Sequence, residues 1–577
     1  MTSVAPFVLL DDARDGGRAW LYADPVEIVE TRDPAQVGAC LERLRGRHAA
    51  GFLAYQAGHA FEARLAPLAS SPDVDAPPLL WFGLFERREA VDPLTLLPDP
   101  AGAHAAVPRP LITEADYRVA LARVLEHIAA GDIYQANLTF QAEARVAGDP
   151  RALYAAIRSR ARAGHGGIVF TGTHWLLSFS PELFFTMRDG HVTTRPMKGT
   201  APLGSDPSVL TGDPKQRAEN LMIVDLLRND LSRLARLGTV KVPELFTVET
   251  YPTLLQMTST VTAELEAGKG PIDLLHAIYP CGSITGAPKI RAMQIIDEVE
   301  AGPRGVYTGA IGRVAPDGEA AFNVAIRTLT LRDGETIARL GLGSGIVADS
   351  RAGEEWRECL AKGAFVATDR QFDLIETMAF DPHEGVLHLD RHLARLKRSA
   401  DALDFPFDRH EARNELQAAT FRAGPSIVRL LAARSGAMAI EVKPLPQVPG
   451  EPVEVAIVDL PVAPADFRLR HKTTDRAFYD DARRAAAAFE VIFRDSRGFL
   501  TEGSFTSLFV ERDGVLLTPP LTRGLLPGIL RERLIAEGRA TEAELAEADL
   551  VDGFLIGNAV RGLLPARLAT SGSPKPV

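Results

Sequence analysis

Apolar positions recur at helical spacing in four stretches of the chain. In EADYRVALARVLEHIA, Tyr117, Leu121, Val124, Leu125 and Ile128 fall on one stripe, and Gly131 ends the run. A second helix is expected to open with Asp213 as N-cap, Pro214 at the first helical position and Gln216 at the capping-box position. It continues through KQRAENLMIVDLLRNDLSRLAR. A third covers about 353–366. The fourth lies in 372–405, with Asp390 read as N-cap and Leu393, Leu396, Ala400 and Leu403 as its buried stripe. Strand-like runs such as GGIVF, LLSF, VAIRTLTL and IVRLLAA alternate with these helices, which predicts an α+β or α/β chain with large sheets. Three stretches rich in proline and small residues, 71–78, 98–110 and 443–452, read as loops or lobe boundaries. The tail from Thr570 reads as frayed.

Composition narrows the possible classes. The 577 residues are 46% hydrophobic and 24% charged, so large cores can form and disorder is not expected. The formal net charge of -11 opposes nucleic acid, which needs a basic stripe to release counterions. No apolar run approaches the ~18 residues that span a bilayer, so no membrane association is expected. The start lacks a basic n-region and a cleavage site, and three cysteines (Cys40, Cys281, Cys359) are too few for a disulfide framework or a four-cysteine zinc site. A reducing cytoplasm is the expected compartment.

Two constellations carry chemistry. In the first, Glu355, Glu358 and Lys362 recur at i, i+3 and i+7 on one helical face, and Glu219 lies in the second turn after Asp213. In isolation these carboxylates fit an ordinary solvated helix. The preceding GLGSGIVADS changes that, because its glycines suit close approach of the backbone to a ligand, and Arg327 lies on the strand before it. Carboxylates with waters and an anionic substrate would suit Mg²⁺.

The segments SPELF (180–184), PMKGTAPLG (196–204), AENLMIVDLLRNDL (218–231), GSITGAPKIRAMQIIDEVE (282–300), YTGAIG (307–312), VAIRT (324–328) and GSGIVADS (343–350) resemble the chorismate-utilising enzymes. Those enzymes include anthranilate, aminodeoxychorismate, isochorismate and salicylate synthases. The resemblance runs over about 110–365, and residues 1–110 would complete the same fold. It implies that Glu219 and Glu358 hold Mg²⁺ with Glu355 close by. It further implies that Tyr307, Arg327, Lys362, Thr285 and the Gly343, Ser344 and Gly345 backbone secure chorismate. Relatives that add water place a lysine base where this chain has Gln135, which would serve only in substrate binding. Anthranilate synthases have a small residue where Lys198 stands, and aminodeoxychorismate synthases have the lysine. The resemblance therefore implies amination at C4, with Lys198 as a transient nucleophile at C2 and Glu182 as acid for the departing hydroxyl. Such an amine must be neutral, and the pair is expected to share a proton at some stage. Gln256 departs from the His of many relatives, and Cys281 reads as a packed thiol. No glutaminase elbow is visible, so a separate glutamine amidotransferase is the implied partner, supplying ammonia.

The second constellation begins after Ala367. The segments 372–405, 469–484, 493–510 and 517–534 resemble fold-type IV pyridoxal 5'-phosphate enzymes, which include branched-chain and D-amino-acid aminotransferases and aminodeoxychorismate lyase. That cofactor requires a lysine for its aldehyde, an acid for its ring nitrogen and donors for its phosphate. The resemblance assigns these to Lys472, to Glu502, and to Arg395 with the Ile529 and Leu530 N–H groups and Asn558. Thr377 would assist protonation. NAVRGLLPA (558–566) is similar to the lyase branch, Ser507 replaces the asparagine usual after the glutamate motif, and the family start is shortened to RQFDLIET.

The expected architecture is therefore α+β: a β-sandwich and helix domain over 1–367, then a two-lobed fold-type IV domain over 368–577, with a homodimer through the second. The expected activity is conversion of chorismate and ammonia to 4-amino-4-deoxychorismate, then elimination to 4-aminobenzoate and pyruvate on the route to folate. The alternatives are an anthranilate-type synthase fused to a transaminase, or a second module that is a non-catalytic scaffold.

Overall fold

The computed structural model describes residues 5–14, 16–250, 254–447, 450 and 452–569. The tail from Thr570, the start of the 251–259 segment and part of the 443–452 break lie outside the described residues. The chain divides into two units. One comprises Met1–Leu97, Val107–Ala144 and Tyr154–Ala367; the other comprises Pro98–Ala106, Arg145–Leu153 and Thr368–Val577.

The first unit is built on two large antiparallel sheets. One runs through the strands Gln135–Ala147, Ile337–Ile346, Thr328–Arg332, His174–Ser180 and His165–Phe170 to the N-terminal strands. The other runs through Met197–Pro202, Leu254–Glu264, His191–Arg195, Leu183–Arg188, Ala320–Val324, Ala310–Val314 and His48–Leu53. Strands such as Leu80–Phe85, LWFGLF, are buried at every position, so they read as continuous apolar runs rather than alternating ones. Their aromatic rings fill a core with Phe52, Phe82, Phe184, Phe185 and Phe322 at or below 1% exposure.

The expected helices are present. The Glu114–Ala129 helix has Thr113 as its cap in a reciprocal box with Asp116, and buries Tyr117, Leu121 and Val124. Asp213 caps Pro214–Ser232 by accepting from the Lys215 and Gln216 N–H groups. The third helix spans Ala352–Gly363 and tightens into a 3₁₀ turn over Ala364–Val366.

The second unit holds a four-stranded sheet (Gly385–Val386, Leu374–Asp381, Ser426–Ala432, Met438–Pro444) and an eight-stranded sheet. The latter includes Leu500–Gly503, Glu490–Arg494, Val453–Asp459 and Phe554–Asn558. The Leu389–Leu403 helix buries Leu393, Leu396, Ala400 and Leu403 as expected, but Asp390 is not its cap. His388 takes that position in the left-handed region (φ 56°), which starts the helix earlier. Asp390 falls in the first turn, where its charge suits the helix dipole, and it pairs with Arg413.

Among the described residues, no helix is long and apolar enough to cross a membrane.

Candidate active sites

In the first unit, Lys198 lies on the Met197–Pro202 strand next to Gly199, whose φ of +92° needs a glycine. Two side chains brace this bend from different elements. Gln256 donates its Nε2 hydrogen to the Gly199 carbonyl at 2.9 Å. Asn220 donates to the Lys198 carbonyl at 3.5 Å and itself accepts from Ser259 Oγ at 2.6 Å. Gln256, expected from the resemblance to depart from the usual residue, thus holds the lysine bend.

The Lys198 amine converges with Gln135 on Gly345. A methyl group on Gly345 would stand 3.0 Å from Gln135 Nε2 and 3.2 Å from Lys198 Nζ. Gln135 is 1% exposed, and neither its Nε2 nor its Oε1 has a hydrogen-bond partner. A buried amide without partners costs roughly 1–3 kcal/mol, so this one is poised to receive a polar ligand. Gly345→Ala should push both side chains aside by a few tenths of an ångström and lower the first unit's turnover by ~10-fold at unchanged thermal stability, short of the ~10²-fold that a 1 Å misplacement can cost. Steady-state kinetics beside a melting curve would check this.

Charges around the amine explain its state. Burial lowers the Lys198 pKa, Lys362 lowers it further, and Glu219, Glu182 and Glu358 pull the other way. Burial raises the Glu182 carboxyl, opposed by a 2.6 Å hydrogen bond from Ser283 Oγ and by Lys198. Both groups are therefore shifted toward their neutral forms. Cys281 is pushed up to about 12 by burial, so it is a packed thiol, as expected.

Three of the other expected substrate residues, Lys362, Ser344 and Tyr307, lie on or against the Ile337–Ile346 strand. Lys362 donates to the Gly343 carbonyl at 3.0 Å and pairs with Glu358 at 2.7 Å. Ser344 is buried with its hydroxyl 3.3 Å from Tyr117 Oη, so only its backbone is available on the glycine face. Tyr307 lies against Gly341, where any side chain would strike its ring. Arg327 takes a left-handed φ of 49°, the kind of backbone strain that collects at ligand sites. Thr285 is fully buried, and its hydroxyl is directed to the Cys281 and Gly282 carbonyls. It can offer a substrate nothing as a donor.

Two of the three glutamates read as metal ligands have partners of their own. Glu358 turns to Lys362, and Glu355 accepts from Ser350 Oγ at 2.8 Å. Among the described residues, no group of three His, Cys, Asp or Glu stands close enough to hold a metal. A closed three-carboxylate cage is therefore not present. The donor chemistry still fits a hard cation that keeps waters and takes one or two carboxylates. Burial raises Glu219, and Glu355 and Glu358 add repulsion that Lys198 and Lys215 oppose.

In the second unit, a cavity of about 470 Å³ is walled by Lys472, Thr377, Arg395, Glu502 and Asn558, together with Ile529 and Leu530. Burial pushes Lys472 down to about 7, with Glu376 opposing and Arg395, Arg476 and Arg429 assisting. Burial pushes Glu502 up to about 8, although it accepts from Tyr479 Oη at 2.6 Å and from the Leu526 N–H at 3.1 Å. The Ile529–Ala536 helix begins at the wall after Gly528, so its first turn, whose N–H groups have no partner within the helix, lies at the cavity. A methyl group on Gly528 would stand 2.6 Å from Ser507 Oγ, so the cradle is narrow. A phosphate-bearing aldehyde cofactor fits this donor set: one lysine near neutrality, one buried acid and a helix start.

Two of the expected phosphate donors are largely engaged elsewhere. Arg395 donates from Nε and Nη2 to both Glu376 oxygens, at 2.8 and 2.7 Å, and from Nη1 to the Pro527 carbonyl at 3.0 Å. Two of its five N–H groups remain. Asn558 accepts from the Val560 and Arg561 N–H groups and donates to the Phe505 carbonyl at 3.1 Å, which makes it a turn former.

Sequence reasoning missed Glu376, which binds both Arg395 and His392 and is 1% exposed. A carboxylate inside an apolar strand, LIETMAF, was the available signal. Burial opposes its charge, but Arg395 and His392 outweigh this and hold its pKa far below the usual range. Its folded value lies below the unfolded ~4.3, so its contribution is complete above that range and disappears as pH falls toward the lowered value. Glu376→Gln should cost about 3–5 kcal/mol at pH 7 and flatten the loss of stability in acid, measurable by denaturant melts from pH 7 to 3. Tyr479 and Glu490 were also missed. Glu490 is fully buried and accepts from Ser504 and Thr506 hydroxyls and from the Ser504 and Phe505 N–H groups, fixing the turn after Glu502.

Residues 7–368 match the family model of the chorismate binding enzyme, and residues 373–569 match that of amino-transferase class IV. The chain belongs to the chorismate binding enzyme family, with a fold-type IV aminotransferase-like domain following it. It is 42% identical over 246 residues to 2-amino-4-deoxychorismate synthase of Streptomyces globisporus, covering 42% of this chain and 50% of that one. It is 42% identical over 254 residues to aminodeoxychorismate synthase component 1 of Klebsiella aerogenes, covering 43% and 56%. Anthranilate synthase component 1 of Streptomyces coelicolor is 39% identical over 265 residues, covering 44% and 52%. The chain thus spans about half the length of these curated relatives. The solved structure of anthranilate synthase component I from Streptococcus pneumoniae aligns with a TM-score of 0.54 at 26% identity, covering 60% of this chain and 92% of that one.

Proposed function

We propose that the first unit aminates chorismate at C4 and that the second eliminates pyruvate from the product to leave 4-aminobenzoate. The observation that carries the reading is the Lys198 amine, shifted toward neutrality and packed with Gln135 against Gly345. The likeness to aminodeoxychorismate synthases supports the same choice of branch.

In this reading Lys198 Nζ attacks C2 as the C4 hydroxyl departs, and Glu182 delivers the proton that makes it water. Ammonia then bonds to C4, and the C2–Nζ bond breaks to return the lysine. Atoms balance: chorismate and ammonia give aminodeoxychorismate and water. The Gln135 amide orients the substrate, and Arg327 and Lys362 neutralise its carboxylates. Glu219 with Glu355 or Glu358 would hold Mg²⁺, which supplies positive charge for a ring carboxylate. Ammonia comes from a glutamine amidotransferase partner, in the cytoplasm.

In the second unit, pyridoxal phosphate when bound supplies an electron sink for the carbon bearing the amine. Lys472 removes the C4 proton, the C3–O bond to enolpyruvate breaks, and the ring becomes aromatic. Enolpyruvate takes a proton to become pyruvate. Glu502 would hold the cofactor's ring nitrogen, and the Ile529 and Leu530 N–H groups would hold its phosphate.

Incubation of the chain with chorismate, Mg²⁺ and an ammonium salt tests the branch. Aminodeoxychorismate or 4-aminobenzoate is expected; anthranilate would refute the reading.

A further inference from the structure

The wall of the second cavity carries cations that the proposed proton transfers do not use. Arg483 lies on the Ala477–Ala486 helix and Arg561 on the turn that follows Phe554–Asn558. Both guanidinium groups lie over the ring of Phe505, at 5.1 and 5.4 Å from its centre. All three residues line the cavity. Two like charges near one ring repel, and the ring face offsets only part of that.

Arg561 has no ion-pair partner among the described residues, and its Nε is buried without a hydrogen bond. Arg483 has only a long 3.4 Å contact with the half-exposed Asp480. A guanidinium drawn from water without an acceptor is costly, and a bound anion would remove that cost. The position of Arg561 is nevertheless fixed. Asn558 accepts its backbone N–H and at the same time donates to the carbonyl of Phe505. The turn that carries the arginine is thus tied to the ring beneath it. Burial lowers the Arg561 pKa, Glu490 partly opposes this and the neighbouring Arg483 adds to it.

We propose that Arg561 and Arg483, placed over Phe505, form a carboxylate-binding subsite that selects an amine substrate bearing a carboxylate remote from its reacting nitrogen. This rests on the elimination reading for the choice of substrate, because the ring carboxylate of aminodeoxychorismate lies across the ring from its amine. Simple amino acids, whose carboxylate adjoins the amine, would leave the subsite empty.

The test uses the full chain loaded with cofactor, titrated with 4-aminobenzoate and with its neutral isostere 4-aminobenzamide, followed by the absorbance of the bound cofactor. The wild type should bind the carboxylate ~10-fold or more tightly than the amide, as expected for a charge-assisted pair. Arg561→Gln should bring the ratio near one, and Arg561→Lys should keep part of it. If Arg561→Gln does not fold, Arg483→Gln should lower the ratio in the same direction. A wild type that does not distinguish the two probes, or a preference that survives intact in the Gln variants, overturns the subsite. Pyruvate release from aminodeoxychorismate separates this from the elimination reading. A wild type that releases no pyruvate but keeps an Arg561-dependent preference refutes elimination and leaves the subsite standing. Release with an unchanged KM in Arg561→Gln refutes the subsite alone.

Discussion

Replacing Lys472 by alanine should lower pyruvate release from aminodeoxychorismate by ~10⁴-fold, at the upper end for a proton-transfer group, while amination of chorismate continues. The expectation follows from where the amine sits. Burial and the arginines Arg395, Arg476 and Arg429 bring it down to about 7. About half of it is then neutral at pH 7, against roughly 1 in 2,500 for a free lysine at ~10.4. The elimination rate should accordingly rise through pH 7 as the amine gives up its proton. The Lys472→Ala chain should accumulate aminodeoxychorismate when given chorismate and ammonium, detectable by chromatography. Equal loss of both activities would argue against separate sites.

Replacing Lys198 by alanine should have the second large effect: a fall of ~10³-fold or more in amination, within the range for loss of a covalent route, with elimination from supplied aminodeoxychorismate unchanged. Lys198→Arg is the sharper variant. Its guanidinium keeps the positive charge beside Glu219 and Glu358 but cannot become neutral, so it cannot serve as a nucleophile. If Lys198 only held a carboxylate, arginine would largely restore turnover. Near-complete loss in both variants, with chorismate binding retained by calorimetry, is the expected result.

The sequence made much of this legible because the family motifs are local and carry their own chemistry. PMKGT singled out Lys198, and the stripe of the 389–403 helix was read correctly from spacing alone. The cap of that helix was not. His388 adopts a left-handed backbone that no side-chain pattern announces, so Asp390 seemed the natural start. Long-range partners were equally hidden. Arg395, expected to donate to a phosphate, gives two of its N–H groups to Glu376, 19 residues away, which spacing could not show. Asn558 reads as a ligand until its amide is seen to close its own turn. Helical spacing puts Glu355 and Glu358 on one face but does not show that Ser350 and Lys362 are their partners in the fold. In each case the residue type was right for its region, and a partner distant in sequence decided what it does.

Two lysines, each governing its own step in series, are the core of this account. The most direct measurement mixes the Lys198→Ala and Lys472→Ala chains with chorismate, Mg²⁺, ammonium and pyridoxal phosphate. Neither variant alone should form 4-aminobenzoate, and the mixture should form it with one pyruvate for each. No 4-aminobenzoate from the mixture, or its formation by either variant alone, would contradict the account.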